Sequence, residues 1–138
     1  MPASRAELDA LVRAMQPVLH EGVFVFALLP PGMDPGRVDA VATVQEAEGL
    51  TVVVKEPDAD DAGLTTLFRA AWITLEVRSD LEAVGLTAAV ATALADEGIA
   101  CNVIAGVHHD HLFVPAEKGE LALLRLRRLA GEGLASGR

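Results

Sequence analysis

The sequence predicts an α+β fold whose antiparallel sheets carry their helices on one face. Three observations carry that expectation. Apolar residues make up 51% of the 138-residue chain, enough to fill a core. Short β-rich runs alternate with amphipathic segments of helical period. Over residues 72–130 the order β-α-β-β-α is legible, which is a split βαβ (ferredoxin-like) unit lacking its last strand.

The elements follow in order. Ser4 with Glu7 three residues on has the form of a capping box, and Leu8, Leu11, Val12 and Met15 then share one helical face, with Pro17 as the stop. Val23–Leu29 is a continuous apolar run of strand length. The Pro30–Gly36 stretch is a turn-rich loop, and 41–46 with 50–55 forms a hairpin around Glu48–Gly49. Residues 57–62 are acidic and read as a loop or a short helical turn; 63–70 read as a second turn of helix leading into a strand. Trp72–Val77 is a strand, 86–97 a helix stopped by Gly98, Ile99–Ala105 a strand, and His111–Val114 its return. Pro115 opens a last helix over 116–130. No strand follows it, so the first half is expected to complete the sheet. The chain is read as two interdependent modules, residues 1–70 and 71–138, each of the βαββαβ type.

Charge and cysteine content narrow the function. With 11 basic and 20 acidic side chains the net charge is −9, which repels phosphate backbones and anionic membranes, so neither nucleic acid nor membrane is expected as a partner. No apolar run approaches the roughly 20 residues of a membrane helix. Residues 1–16 are amphipathic rather than signal-like, and the single Cys101 sits in an apolar run as a core thiol. A cytoplasmic protein without a cofactor is expected, and its open sheet edges suggest a homo-oligomer, most simply a two-fold homodimer.

Three segments can carry chemistry. Ser79-Asp80-Leu81-Glu82 has the form of a second capping box. Alternatively the helix starts only at Leu86, after Val84 and Gly85, leaving free N–H groups at its positive end as an anion site. Asn102 is a polar residue in an apolar strand, and Gly106 a turn glycine that allows positive φ or a close backbone approach. His108-His109-Asp110-His111 reads as a polar hairpin turn, as part of an organic-ligand site, or as metal ligands; in an extended segment His109 and His111 share one face and Asp110 the other. No Gly-rich phosphate loop, Gly-x-Ser-x-Gly or His-Glu-x-x-His motif is present.

The runs Trp72–Val77, Leu81–Ala89, Asn102–Gly106 and His109–Pro115, together with Glu48–Thr51, resemble a bacterial family of tandem ACT-like domain proteins. More distantly they are similar to the ACT-like domains of eukaryotic arginine sensors. The resemblance implies two tandem ACT modules and a regulatory protein that binds a small molecule, an amino acid above all, without catalysis. It implies a ligand site at the strand-to-helix junction: Ser79, Asp80, Leu81, Val84, Gly85 and Leu86, facing Asn102, Gly106, His109 and Asp110, with Asp110 as partner of an ammonium group. Asp80 departs from the small polar residue, typically serine, expected there. The alternative is a metal-binding protein or small enzyme centred on His109-Asp110-His111.

Overall fold

The computed structural model describes residues 4–77 and 84–134. Helix α1 spans Arg5–Ala14, and the Ser4 hydroxyl accepts the Glu7 N–H at 3.1 Å, satisfying one of the donors that a helix start leaves free. The helix ends before Pro17 because Met15 turns extended, and Gln16–Leu19 continues as a strand, β1, which the sequence reading left unassigned. Strand β2 is Phe24–Leu28, β3 Ala40–Glu46 and β4 Gly49–Lys55. A six-residue helix α2, Glu56–Asp61, follows, with Pro57 at its start where the missing N–H costs nothing. Strand β5 runs Phe68–Glu76, beginning four residues before the expected Trp72. Helix α3 (Leu86–Asp96), strands β6 (Asn102–Ala105) and β7 (Asp110–Pro115), and helix α4 (Gly119–Glu132) complete the chain, with a 3-10 turn at Ala116–Lys118 before α4.

The seven strands of the described residues join one antiparallel sheet in the order β3-β4-β2-β5-β7-β6, with β1 also on β5. The order β1-β5-β7-β6 is that of a complete four-stranded ferredoxin-like sheet, and its closing strand comes from the chain's N-terminus. The order β3-β4-β2-β5 is a second such sheet, closed by the first residues of β5. There the first crossover is a loop with a single 3-10 turn, Pro35–Arg37, in place of a helix. Strand β5 therefore serves both modules: Phe68, Arg69 and Ala70 pair with β2, and Ile73–Glu76 with β1, while Ala70–Leu75 pair with β7 on the other edge. The 70/71 division falls inside this strand.

Strands β1 and β2 lie end to end along β5. Leu19 faces Ile73 and Phe24 faces Ala70, so five steps on one side match three on the other. The excess forms a bulge at Glu21–Val23, where Gly22 takes φ +91°, a conformation that costs glycine little.

Antiparallel partners share a face, and the register sorts the side chains cleanly. Toward the helices point Ile73, Leu75, Leu112 and Val114, packed with Val12 and Met15 of the α1 segment, Leu86, Val90 and Leu94 of α3, and Leu126 of α4. Val25, Ala27, Val52 and Val54 continue this face under Ala59 of α2. The close approach of α4 to β5 requires Gly119, where a Cβ would stand 2.7 Å from the Ala71 Cβ. The four α-helices of the described residues lie on this side. The opposite face carries Phe24, Phe26, Phe68, Trp72 and Phe113, which are all the phenylalanines and the tryptophan of the chain.

Met15 is 2% exposed inside the C-terminal module's core although it lies at the chain's other end. Met15→Ala should therefore lower the unfolding free energy of the whole chain by about 2–5 kcal/mol in a urea melt. A loss below ~0.5 kcal/mol would mean that the N-terminal segment is not part of that core.

Candidate functional site

The end of the C-terminal module where β5 leaves the sheet gathers most of the sequence-derived candidates. Leu75 pairs with Asp110, and Asp110 pairs with Ala105, so the 106–109 turn and the exit of β5 sit at the same end. Strands β5 and β6 are parallel to each other but not neighbours, because β7 lies between them. Asp110 shares the helix-side face with Leu75, whose cluster includes Leu86 in the first turn of α3. Helix α3 starts at Leu86, with Gly85 as its N-cap at φ +105° and no side-chain capping bond from the described residues. The later of the two helix starts considered is thus the one adopted. A side chain at position 85 would also strike Leu8 of α1, with a Cβ 2.8 Å from Leu8 Cδ2. Val84 is exposed beside it. Ser79, Asp80 and Leu81 lie outside the described residues.

Gly106 earns its place by close approach, not by positive φ. Its N–H donates to the His109 carbonyl at 2.9 Å, and a Cβ there would come within 2.9 Å of that oxygen and 3.2 Å of His111 Nε2. Asn102 pairs with Phe113 at the other end of β6, exposed and on the helix-free face, so the fold does not bring it to the turn. His109 is half-buried with a buried Nδ1 that has no hydrogen-bond partner among the described residues. His111 points to the helix-free face, opposite Asp110. Among the described residues no three His, Cys, Asp or Glu side chains gather as metal ligands do.

The helix-free face holds a polar group that sequence reasoning missed. Trp72 Nε1–H donates to His111 Nδ1 at 3.1 Å. The Thr74 hydroxyl lies 3.0 Å from the same Nδ1 and 2.7 Å from His20 Nε2. The His20 ring stacks on the indole of Trp72 with centroids 3.5 Å apart and planes 9° off parallel. An indole N–H can only donate, so His111 Nδ1 must be an acceptor and the ring proton sits on Nε2. The period-2 alternation of Trp72 and Thr74 was the available signal; what the sequence did not reveal was that β7 would place His111 opposite Thr74.

Electrostatics agree with a neutral pair. Burial pushes the His111 imidazole below its ordinary value of 6.5, with His109 lowering it further and Asp110 opposing. His20 is lowered too, by burial first and then by His111, with Glu76 opposing. Burial also raises the Cys101 thiol to about 11, so it stays protonated and inert.

Depressed histidines mean that the unfolded chain binds protons before the folded one does. The stability they contribute is present above pH 6.5 and is lost as pH falls through the folded-state values. The melting temperature should fall between about pH 6.5 and 5, above the usual carboxylate range, and His111→Gln should flatten that slope. An unchanged slope in the variant would contradict the neutral His111 described here.

Comparison with known proteins places this geometry. Residues 4–71 match one ACT domain family and residues 68–128 another, and both matches include the first residues of β5. A search of curated proteins found no match. Among solved structures, the chain is similar to a Vibrio cholerae protein of unknown function, described as a possible transport protein. The two are 44% identical over 92% of this chain and 99% of that one, with a TM-score of 0.83. An Agrobacterium tumefaciens protein is 18% identical over 85% and 89% of the two chains, with a TM-score of 0.65. The ligand-free regulatory subunit of aspartate kinase from Thermus thermophilus shares the fold at 14% identity over 81% and 94%, with a TM-score of 0.61. Two ACT-type matches spanning residues 4–128, and a relative 44% identical along nearly its whole length, show that this chain belongs to the ACT domain family as a tandem ACT protein.

Proposed function

We propose that this protein is a non-catalytic regulatory module that binds an amino acid at the β5–α3 junction of its C-terminal half. Membership of the ACT family supports a regulatory, ligand-binding role in general. The observation that supports the site is the register Leu75–Asp110–Ala105. It sets a carboxylate on the helix-side face, at the end of the sheet from which the chain passes to the uncapped start of α3. Backbone N–H groups at Gly85 and Leu86 take the ligand's carboxylate, favoured by the helix dipole. Asp110 takes its ammonium as a charge-assisted hydrogen bond. In the sequence Ser79, Asp80 and Leu81 fall between β5 and α3, and an acidic residue in that segment favours a basic amino acid. His109, with its unpartnered Nδ1, borders the turn.

The working form in this reading is a two-fold homodimer in the cytoplasm. Leu121 and Leu124 are 42% and 61% exposed on α4, and β3 and β6 end the sheet with open edges. Light scattering should give twice the chain mass at high protein concentration; a monomer there would contradict it.

A thermal-shift screen of the twenty amino acids tests the ligand. Saturation at about 100 times the dissociation constant adds about 2.7 kcal/mol of stability, a readily measured melting shift. The response should be largest for a basic amino acid and should vanish in Asp110→Ala. No shift with any amino acid, or an unchanged shift in the variant, would refute the assignment.

A further inference from the structure

The sheet curls, and the helix-free face becomes a cavity of about 360 Å³. Val41 and Ala42 of β3 line it together with Ile104 and Gly106 at β6, although β3 and β6 stand at opposite ends of the strand order. Trp72, His111 and Phe113, on the central strands β5 and β7, supply the rest. A pocket of this size with apolar walls and few polar groups has the form of a small-molecule site.

We infer that this cavity is a second ligand site, separate from the β5–α3 junction, for a small neutral molecule with an apolar body and one hydrogen-bond acceptor. The charge of the lining gives the first part: every residue that lines it is apolar, a glycine or the neutral His111, so an ionic ligand would lose its hydration without a counter-charge. The hydrogen bonds give the second. Trp72 and Thr74 occupy His111 Nδ1, which leaves Nε2–H as a donor without a partner among the described residues. Protonating Nδ1 would set its N–H against the Trp72 N–H, so the ring stays neutral. Gly106 keeps this donor accessible: any side chain there would stand 3.2 Å from Nε2, and glycine leaves that nitrogen open to the cavity. Trp72 and Phe113 line the cavity together with Val41, Ala42 and Ile104, which favours an apolar ligand body.

Trp72 is the only tryptophan, so its single indole N–H resonance reports on the cavity directly. The probes are acetophenone, its acceptor-free analogue α-methylstyrene, and benzoate. Acetophenone should move the indole signal saturably. α-Methylstyrene should bind about 3- to 10-fold more weakly, the range expected for one neutral hydrogen bond, and benzoate more weakly than acetophenone. Ala42→Phe, which fills the cavity, should abolish the response. His111→Phe should reduce acetophenone to the affinity of α-methylstyrene and leave α-methylstyrene unchanged, which keeps the test valid if Ala42→Phe does not fold. Asp110→Ala should leave acetophenone binding intact, so this site and the amino-acid site stand or fall separately. The inference is overturned if no probe gives a saturable shift, if benzoate binds more tightly than acetophenone, or if His111→Phe changes nothing. An indole signal that follows protein concentration instead of probe, as a second copy covering this face would require, also overturns it.

Discussion

Strand β5 is hydrogen-bonded along both edges and shared between two modules, and the rest of the architecture depends on that sharing. Its first residues close the N-terminal sheet against β2, and its later ones are the first strand of the C-terminal sheet, flanked by β1 and β7. The chain leaves β5 only at Glu76, so the crossover to α3 starts at the end of the sheet where Asp110 lies. Every position in the candidate site inherits its place from this register, because a slip of one residue would send Asp110 to the other face.

A second constraint is the division of apolar residues between the two faces. The helix side is filled with Val, Leu, Ile and Ala, whose branched side chains interlock with helices. The aromatic residues are all on the side without helices, where Phe24 and Phe113 are nonetheless 3% and 0% exposed. Neighbouring rings and the curl of the sheet bury them: Phe24 meets Trp72 edge-on at 5.2 Å, and Phe26 meets Phe113 edge-on at 5.3 Å. Wide rings cover a sheet face that no helix protects, and their polar edges need partners. Trp72 Nε1–H finds His111, which Thr74 and His20 extend into a hydrogen-bonded row.

Much of this was legible in the sequence where local signals are strong. The Ser4 cap, the 41–55 hairpin, the α3 and α4 helices and the β6–β7 return all follow from capping, period and turn chemistry, and the expectation that the first half completes the sheet is met by β1 on β5. Strand β1 escaped because Gln16-Pro17-Val18-Leu19 is short and holds a proline, tolerated here because the strand lies at an edge, bonded on one side only. The early start of β5 escaped because Phe68-Arg69-Ala70 gains its strand character from pairing with β2, not from its own composition. At the site, the 106–110 turn and the Leu86 helix start were visible, whereas Asn102, singled out as a polar residue in an apolar strand, is exposed at the far end of β6 and needs no buried partner. The Trp72–His111 contact spans 39 residues and exists only through the β5–β7 register, which no local pattern encodes.

If β5 unites the modules, they must open together. Native-state hydrogen exchange measures this directly. The slowest amides of β2 and β4 should exchange with the same free energy as those of β5 and β7, equal to that of global unfolding. Exchange of β2 and β4 through a markedly cheaper opening, with β5 and β7 still protected, would show two independent domains and contradict the shared-strand account.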